Sequence, residues 1–399
     1  MNKEGLTTRG LERRIKRRLT SREQTFAVVA TPGLERITCA EIQEIENPPE
    51  IRVENGLLEF EAPFDAVYRL NLKLRTASRV LMRVGSFTAR SYPELFNKLQ
   101  RISWEIYTGF HPDIAFTATS RQSRLHHTGV ITGTASEAVE TYLQKLGVVK
   151  IIAKNSAHTV HLRLHNDRCT VSMDTTGTLL HKRGYRTDVG GAPLRETAAA
   201  ALLVASRWER YPVIADPCCG TGAIIAEALR MADGTDAGSA RPFAFHSWPS
   251  FSEPHWNHLK NRTRKAPAAT NRRFFAGDNS EKAVTAAERT FAALASSLKP
   301  VVRCGDCLEF NADDAYGKKG LLISNLPFGK RIGTGEGVRR FYTDLGNALR
   351  KNCPGWSFGF LSADPHFERY FGVRCKTTLE FSHGGIAVRY CTGRIPSST

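Results

Sequence analysis

Nowhere in the 399 residues is there an apolar run approaching the ~18 residues that a membrane-spanning helix requires. That excludes an integral helical membrane protein. Acidic residues are scarce: 39 Asp and Glu stand against 56 Lys and Arg, a formal net charge of +17. Self-repulsion on that scale is costly without a polyanion nearby, so nucleic acid or an acidic surface is the expected partner. A disulfide framework is also lacking. The nine cysteines (Cys39, Cys169, Cys218, Cys219, Cys304, Cys307, Cys353, Cys375 and Cys391) are odd in number and scattered. They read as reduced thiols of a cytoplasmic protein. Cys304 and Cys307 have the spacing of a redox or zinc knuckle, but no second such pair accompanies them, and no metal is expected. No secretory signal opens the chain: residues 1–24 hold eight Lys or Arg and three Glu, with RRIKRR from Arg13 to Arg18. The segment reads as a flexible, solvated tail, with a nucleic-acid-binding arm as the alternative.

What is present divides the chain in two. Up to about residue 175, short strands such as FAVVA (Phe26–Ala30) and TVHLRLHN (Thr159–Asn166) interleave with helices such as GLERITCAEIQEI (Gly33–Ile45). This pattern predicts an α+β region. From Arg195 onward, helices alternate with apolar strands, PVIAD, RFFAGD, VVRCGD and GLLISN. Such alternation predicts a doubly wound α/β sheet, and the closing strands around SHGG predict an antiparallel edge hairpin. Residues 232–272 interrupt the alternation with Gly, Pro, Trp, His and basic residues. They are expected to form an inserted loop with a helix near Pro254–Arg264, as a solvated flank or as a flap facing nucleic acid.

Four strand ends carry the chemistry. VIADPCCGTGAII ends a strand at Asp216, turns at Gly220-Thr221-Gly222 and enters a helix. Glycine there permits positive φ and close approach of a ligand to the backbone. A dinucleotide-binding turn would place a third glycine where Ile225 stands, and Asp216 would repel a pyrophosphate. The same carboxylate favours a ligand carrying an ammonium group, as S-adenosylmethionine does. Asp278 ends the next strand, where an acid can accept hydrogen bonds from ribose hydroxyls, and Asp306 follows the third, within reach of an adenine amine. Helix capping accounts for either residue equally well. The fourth end reads LLISNLPFGKR (Leu321–Arg331). The Asn325 side-chain oxygen and the Leu326 carbonyl can both accept from an exocyclic amine, and Phe328 offers a stacking face for a base. Lys330 and Arg331 then suit flanking phosphates. Arg121 and Arg124, in RQSRLHHTG, read as part of a basic RNA-facing loop or as plain surface. HKRGYR (His181–Arg186) reads as an interdomain linker or as part of an RNA groove.

DPCCGTG, GDNS, GDCLEF and NLPFGKR follow in order the motifs of class I S-adenosylmethionine-dependent methyltransferases that modify exocyclic amines. Upstream, LLHKRGYRTDVGGAPLRETAAAALL is similar to the link and first helix of THUMP-containing RNA guanine-N2 methyltransferases, most like the bacterial family acting on 23S ribosomal RNA. The resemblance implies a Rossmann-like methyltransferase domain over 195–399. Ahead of it come a ferredoxin-like region (25–65), a THUMP domain (66–175) and a linker (176–194). It implies cofactor contacts from Asp216, Cys218, Gly220, Thr221, Gly222, Asp278, Asn279, Asp306, Cys307 and Asn325, and a target-amine site of Asn325, Leu326, Pro327 and Phe328. S-adenosylmethionine is the implied cofactor and RNA the implied partner, rRNA first and tRNA second. Methylation of adenine N6, or a non-catalytic assembly factor, are the other readings. The departure is Leu326, where the family pattern has proline; that position acts through its carbonyl, so the chemistry is expected to survive. Some members carry a second methyltransferase domain, and this chain ends before one would begin.

Overall fold

The computed structural model describes residues 7–110, 113–148, 158–186, 194–263, 271–313, 319–327 and 336–397. In the first half, seven strands form one sheet: β1 (Glu23–Ala30), β2 (Arg52–Glu54), β3 (Leu57–Pro63), β4 (Ala77–Thr88), β5 (Ile114–Arg121), β6 (His158–His165) and β7 (Arg168–Asp174). Their spatial order is β2-β3-β1-β4-β7-β6-β5. The accompanying helices are α1 (Thr8–Ile15), α2 (Glu35–Glu46), α3 (Ala66–Lys73), α4 (Tyr92–Leu99), α5 (Glu105–Thr108) and α6 (Thr128–Lys145). Period-two patterning sets the faces: on β6, Val160, Leu162 and Leu164 are buried while Arg163 and His165 are exposed. The sheet runs unbroken through the expected border at residue 65, because β1 pairs with β3 on one side and β4 on the other, and β4 pairs with β7.

The second half holds β8 (Val213–Asp216), β9 (Arg273–Asp278), β10 (Val301–Cys304), β11 (Leu321–Asn325), β12 (Ser357–Ser362), β13 (Cys375–His383) and β14 (Ile386–Arg394). Its helices are α7 (Glu196–Ala205), α8 (Ala223–Ala232), α9 (Glu253–Thr263), α10 (Glu281–Ala292), α11 (Glu336–Asn352) and α12 (Phe367–Phe371). The strand order is β10-β9-β8-β11-β12-β14-β13, parallel except for β14, which runs antiparallel to both β12 and β13. Strands β8 and β11 are buried almost throughout, as continuous apolar runs covered on both faces must be. At the hairpin, Gly384 and Gly385 both take positive φ, +59° and +83°, as a two-residue turn demands. The order reverses between β8 and β11, so a crevice opens at the C-terminal ends of these strands.

Two expectations are corrected. Residues 8–20 are not a flexible tail. Helix α1 and a π-helical turn over Lys16–Thr20 bury Leu11, Ile15 and Leu19 in the N-terminal core. The RRIKRR run conceals this amphipathic spacing among its cations. Arg14 pairs at 2.9 Å with Glu105, a buried carboxylate that Tyr142 also satisfies at 2.7 Å.

The aromatic part of the insertion, within the described residues 232–263, is not a solvated flank. Phe243, Phe245, Trp248 and Trp256 are buried in the core of the N-terminal half, not in that of the sheet from which they branch. Phe245 meets Tyr68 of α3 edge-on at 5.2 Å, and Trp248 meets Tyr107 at 5.8 Å. Backbone bonds reinforce the seam: Gly238 N–H donates to Leu72 O at 2.8 Å and Phe245 N–H to Thr175 O at 3.1 Å. Apolar burial decides the placement, because these large rings leave water together. Trp256→Ala is expected to cost about 3–5 kcal/mol, as for large-to-small changes in a packed core. Urea denaturation would measure that cost, and limited proteolysis would show the 232–263 segment becoming cleavable first.

Candidate active site

Asp216 closes β8 with a side chain almost wholly out of water. Its Oδ1 accepts from the Ser324 hydroxyl on the neighbouring β11 and from the Cys218 amide at 3.2 Å. Burial, with a smaller push from Asp278, raises the Asp216 carboxyl to about 7, against the downward pull of these two hydrogen bonds. The chain then turns through Gly220 (φ +53°) and Gly222 (φ +81°). A Cβ on Gly222 would lie 2.7 Å from the Phe291 ring and is sterically forbidden; one on Gly220 would meet nothing within 4 Å. The second glycine therefore serves packing of α8 on α10, while the first faces open space where a ligand can lie against the backbone.

Asp278 ties the turn to the next strand. Its Oδ2 accepts from the Gly220 amide at 2.9 Å and its Oδ1 from the Ser280 amide at 3.1 Å. The Cys219 amide donates to Gly277 O at 2.7 Å. Asp306 spends one oxygen on the Leu308 amide at 2.9 Å, capping a short helical turn, and remains exposed, as does Asn279. The Cys218 thiol is pushed well above its usual value by its hydrogen bond with Cys307 and by burial, and Cys219 is pushed up by burial. Cys218 and Cys219 are therefore neutral packing groups, not thiolate nucleophiles.

On β11, Asn325 presents a buried Oδ1 that has no hydrogen-bond partner among the described residues. Leu326 follows it, 1% exposed, in the core beneath α11. Its amide donates to Leu361 O at 3.1 Å, extending the β11–β12 pairing one residue past the strand. A proline in this position could not make that bond. Pro327 then directs the chain out of the sheet. Phe328, Lys330 and Arg331 lie outside the described residues. Arg121 and Arg124 are exposed at the end of β5 and in the loop after it, where Arg121 stands in register with His165 and His165 with Arg168. The Arg124 amide is anchored on Asp167 Oδ1 at 2.7 Å.

Two functional neighbours were not singled out from sequence. Ser324 looks like an ordinary strand residue until β11 is laid beside β8 and its hydroxyl meets Asp216. Arg186, within the basic HKRGYR stretch, reaches Thr221 of the glycine turn at 2.7 Å. Among the described residues, no group of three or more His, Cys, Asp or Glu could hold a metal ion, and no helix is long and apolar enough to cross a membrane. A cleft of about 660 Å³ opens between α2, α3, α7, α8 and α9, lined by Glu41, Arg69, Trp208 and Arg262 among others. None of the strand-end residues borders it, so it is separate from this site.

Two measurements follow from these contacts. A carboxyl whose folded pKa is raised binds its proton more tightly in the folded chain, so its contribution to stability falls as pH climbs from about 4 through about 7. Relative to Asp216→Asn, the wild type should lose on the order of a few kcal/mol across that window, read by urea denaturation at a series of pH values. Leu326→Pro deletes the bond to Leu361 O and should lower stability by about 1–3 kcal/mol in the same assay.

Residues 183–388 match the family described as RMKL-like, methyltransferase domain, and residues 25–81 match the RlmL ferredoxin-like domain. The second match extends beyond the expected border at 65 into β4. YpsC of Bacillus subtilis (strain 168), described provisionally as an RNA methyltransferase, is 29% identical over 379 residues, covering 92% of this chain and 95% of its own. The ribosomal RNA large subunit methyltransferase K/L of Psychromonas ingrahamii is 29% identical over 381 residues, 91% of this chain but 49% of that longer protein. Among solved structures, SMU.472, described provisionally as a methyltransferase and determined with SAH, superposes with a TM-score of 0.85 at 27% identity, covering 94% of this chain and 99% of its own. With more than half its length matched, the chain belongs to the RMKL-like methyltransferase family.

Proposed function

We propose that the protein transfers a methyl group from S-adenosylmethionine to the exocyclic N2 of a guanine in RNA, in the cytoplasm, with 23S ribosomal RNA as the leading substrate. The observation that carries this reading is the unpartnered, buried Oδ1 of Asn325 at the end of β11. A buried acceptor without a donor costs about 1–3 kcal/mol, and such a cost persists where a ligand supplies the donor. An exocyclic amine has two N–H groups, for Asn325 Oδ1 and the Leu326 carbonyl. Held by both, the nitrogen is drawn out of conjugation with its ring, and its lone pair becomes available along a fixed direction.

S-adenosylmethionine supplies a methyl group already activated on a sulfonium. Around it, the protein provides a carboxylate pair, Asp216 and Asp278, suited to an ammonium and to ribose hydroxyls, and the open face of Gly220. The segment 66–175 is assigned as a THUMP domain that grips RNA, with Arg121 and Arg124 on its exposed loop holding phosphates. The name of the K/L relative supports ribosomal RNA. The net charge of +17 supports a polyanionic substrate of either kind. The target guanine, unstacked or flipped, would enter at a cost of a few kcal/mol, about that of opening one base.

Asn325→Ala should reduce methyl transfer to RNA by about 10²-fold or more while leaving cofactor affinity within a few-fold. Tritium transfer from labelled S-adenosylmethionine, followed by nucleoside digestion and mass spectrometry, reads both rate and product. N2-methylguanosine is the expected product. N6-methyladenosine would overturn the choice of base, and an unchanged rate in the variant would overturn the role of Asn325.

A further inference from the structure

The turns after β8 and β10 are held together by the strand that runs between them. Gly220 N–H donates to Asp278 Oδ2 at 2.9 Å, Cys219 N–H to Gly277 O at 2.7 Å, and Gly305 N–H to Asp278 O at 3.0 Å. Both turns therefore close on the end of β9, one from either side. Cys218 of the first turn and Cys307 of the second pack against the same apolar cluster, and their thiols hydrogen-bond to each other. Both are half-buried, and both are free. Cys219, the next residue, is buried and spends its thiol on Gly220 O at 3.5 Å. Methyl transfer from a sulfonium to an amine requires no thiol, so that chemistry leaves the pair unexplained.

We propose that Cys218 and Cys307 form a redox-modification site, which hydrogen peroxide closes into a reversible disulfide that distorts the glycine turn and weakens cofactor binding. The chemistry balances in two steps. Cys307, on a turn whose neighbouring residues Cys304, Gly305 and Asp306 are exposed, reacts first as its thiolate. Its sulfur takes one peroxide oxygen, the O–O bond breaks, and the departing hydroxide recovers the thiol proton as water, leaving a sulfenic acid. The Cys218 sulfur then attacks the sulfenic sulfur, the S–O bond breaks, and the second hydroxide leaves as water with the Cys218 proton. Two thiols are oxidised and one peroxide is reduced. In the resting pair the Cys218 proton is held first by the hydrogen bond with Cys307 and then by burial. Oxidation of Cys307 removes that thiol partner, so a group inert at rest becomes the resolving nucleophile. A bridge that forms only on oxidation suits a chain whose nine cysteines are all free. Bond formation draws the two sulfurs from hydrogen-bond to covalent separation, and the chain must follow Cys218, two residues before the open face of Gly220. The effect on affinity rests on the reading of Gly220 as a cofactor contact; the bridge itself does not.

Peroxide treatment of the full chain, blocking of residual thiols with N-ethylmaleimide and non-reducing peptide mapping by tandem mass spectrometry locate the bridge. The expected product links Cys218 to Cys307, forms equally in Cys304→Ser and is reversed by dithiothreitol. A bridge from Cys304 to Cys307, close neighbours in sequence, or the absence of any bridge to Cys218, overturns the proposal. Calorimetry with S-adenosylhomocysteine reads the consequence. Oxidised protein should bind about 10-fold more weakly than reduced protein, the loss of at least one hydrogen bond, and recover with dithiothreitol. Cys218→Ser and Cys307→Ser should each bind equally before and after peroxide. A bridged protein that binds as tightly as the reduced one also overturns the proposal. Mapping on the wild type needs no variant, so the test stands if a serine variant does not fold. Affinity of the untreated protein reads the cofactor assignment separately: no binding there would sink that assignment, whereas a missing bridge sinks only the redox site.

Discussion

In the second turn of α8, Glu227 buries a carboxylate with no exposed surface, and its satisfaction ties the two halves together. Tyr185 donates to it at 2.9 Å, Arg183 of the linker stands 3.6 Å away, and Arg75, just past α3, stands 3.8 Å away. An isolated carboxylate in such a place would cost several kcal/mol, so the arginines cannot be withdrawn without losing the helix that carries it. Arg183 is in turn held by the carbonyls of Leu180 and Arg75. Linker, N-terminal domain and α8 are therefore fixed to one another at a single buried cluster. Since α8 starts at the glycine turn, that turn inherits the placement. Arg186, one residue beyond Tyr185, reaches Thr221 because Tyr185 is anchored on Glu227 two turns below.

At the other side of the crevice, position is set by the sheet. Ser324 and Asn325 are successive residues of β11, and alternation points them to opposite faces. Ser324 goes to Asp216, which leaves Asn325 on the opposite face with an acceptor that has no partner among the described residues. Leu326 then contributes a backbone bond to Leu361 O that a proline would forgo, so its departure from the family pattern lengthens the β11–β12 pairing without displacing Asn325. The end of β11 is thus joined to Asp216 at the end of β8 through one hydroxyl, that of Ser324.

Much of this was legible in the sequence where the signals are local. The alternation of strands and helices after residue 195, the glycine turn after Asp216 and the hairpin at Gly384-Gly385 depend on neighbours within a few residues, and the structure has them as expected. Docking is a different matter. Residues 8–20 are rich in cations and read as solvated, and residues 232–272 read as a solvated flank or as a flap facing nucleic acid. Their burial depends on surfaces far off in the chain, Glu105 for Arg14 and Tyr68 for Phe245. The same limit hid Arg186, whose partner Thr221 is distant in sequence, and the vacant acceptor of Asn325, which exists only once everything around it has been placed. For Asp306, capping or cofactor contact were both open; the structure shows the cap, and its other oxygen remains exposed.

The aromatic insertion also constrains how the chain reaches its native state. Phe243, Phe245, Trp248 and Trp256 are encoded between α8 and β9, yet their burial site is built by residues synthesised long before them. During vectorial synthesis the N-terminal sheet emerges first and can be waiting as a template when these rings leave the ribosome. A methyltransferase half produced alone would carry four large rings onto an unprotected surface beside strands still seeking partners. Such a fragment would self-associate before its parallel sheet could close, because non-local strand pairing is slow and exposed apolar patches are sticky. For this chain, the order of synthesis favours folding, because the N-terminal half supplies the surface on which these rings are buried.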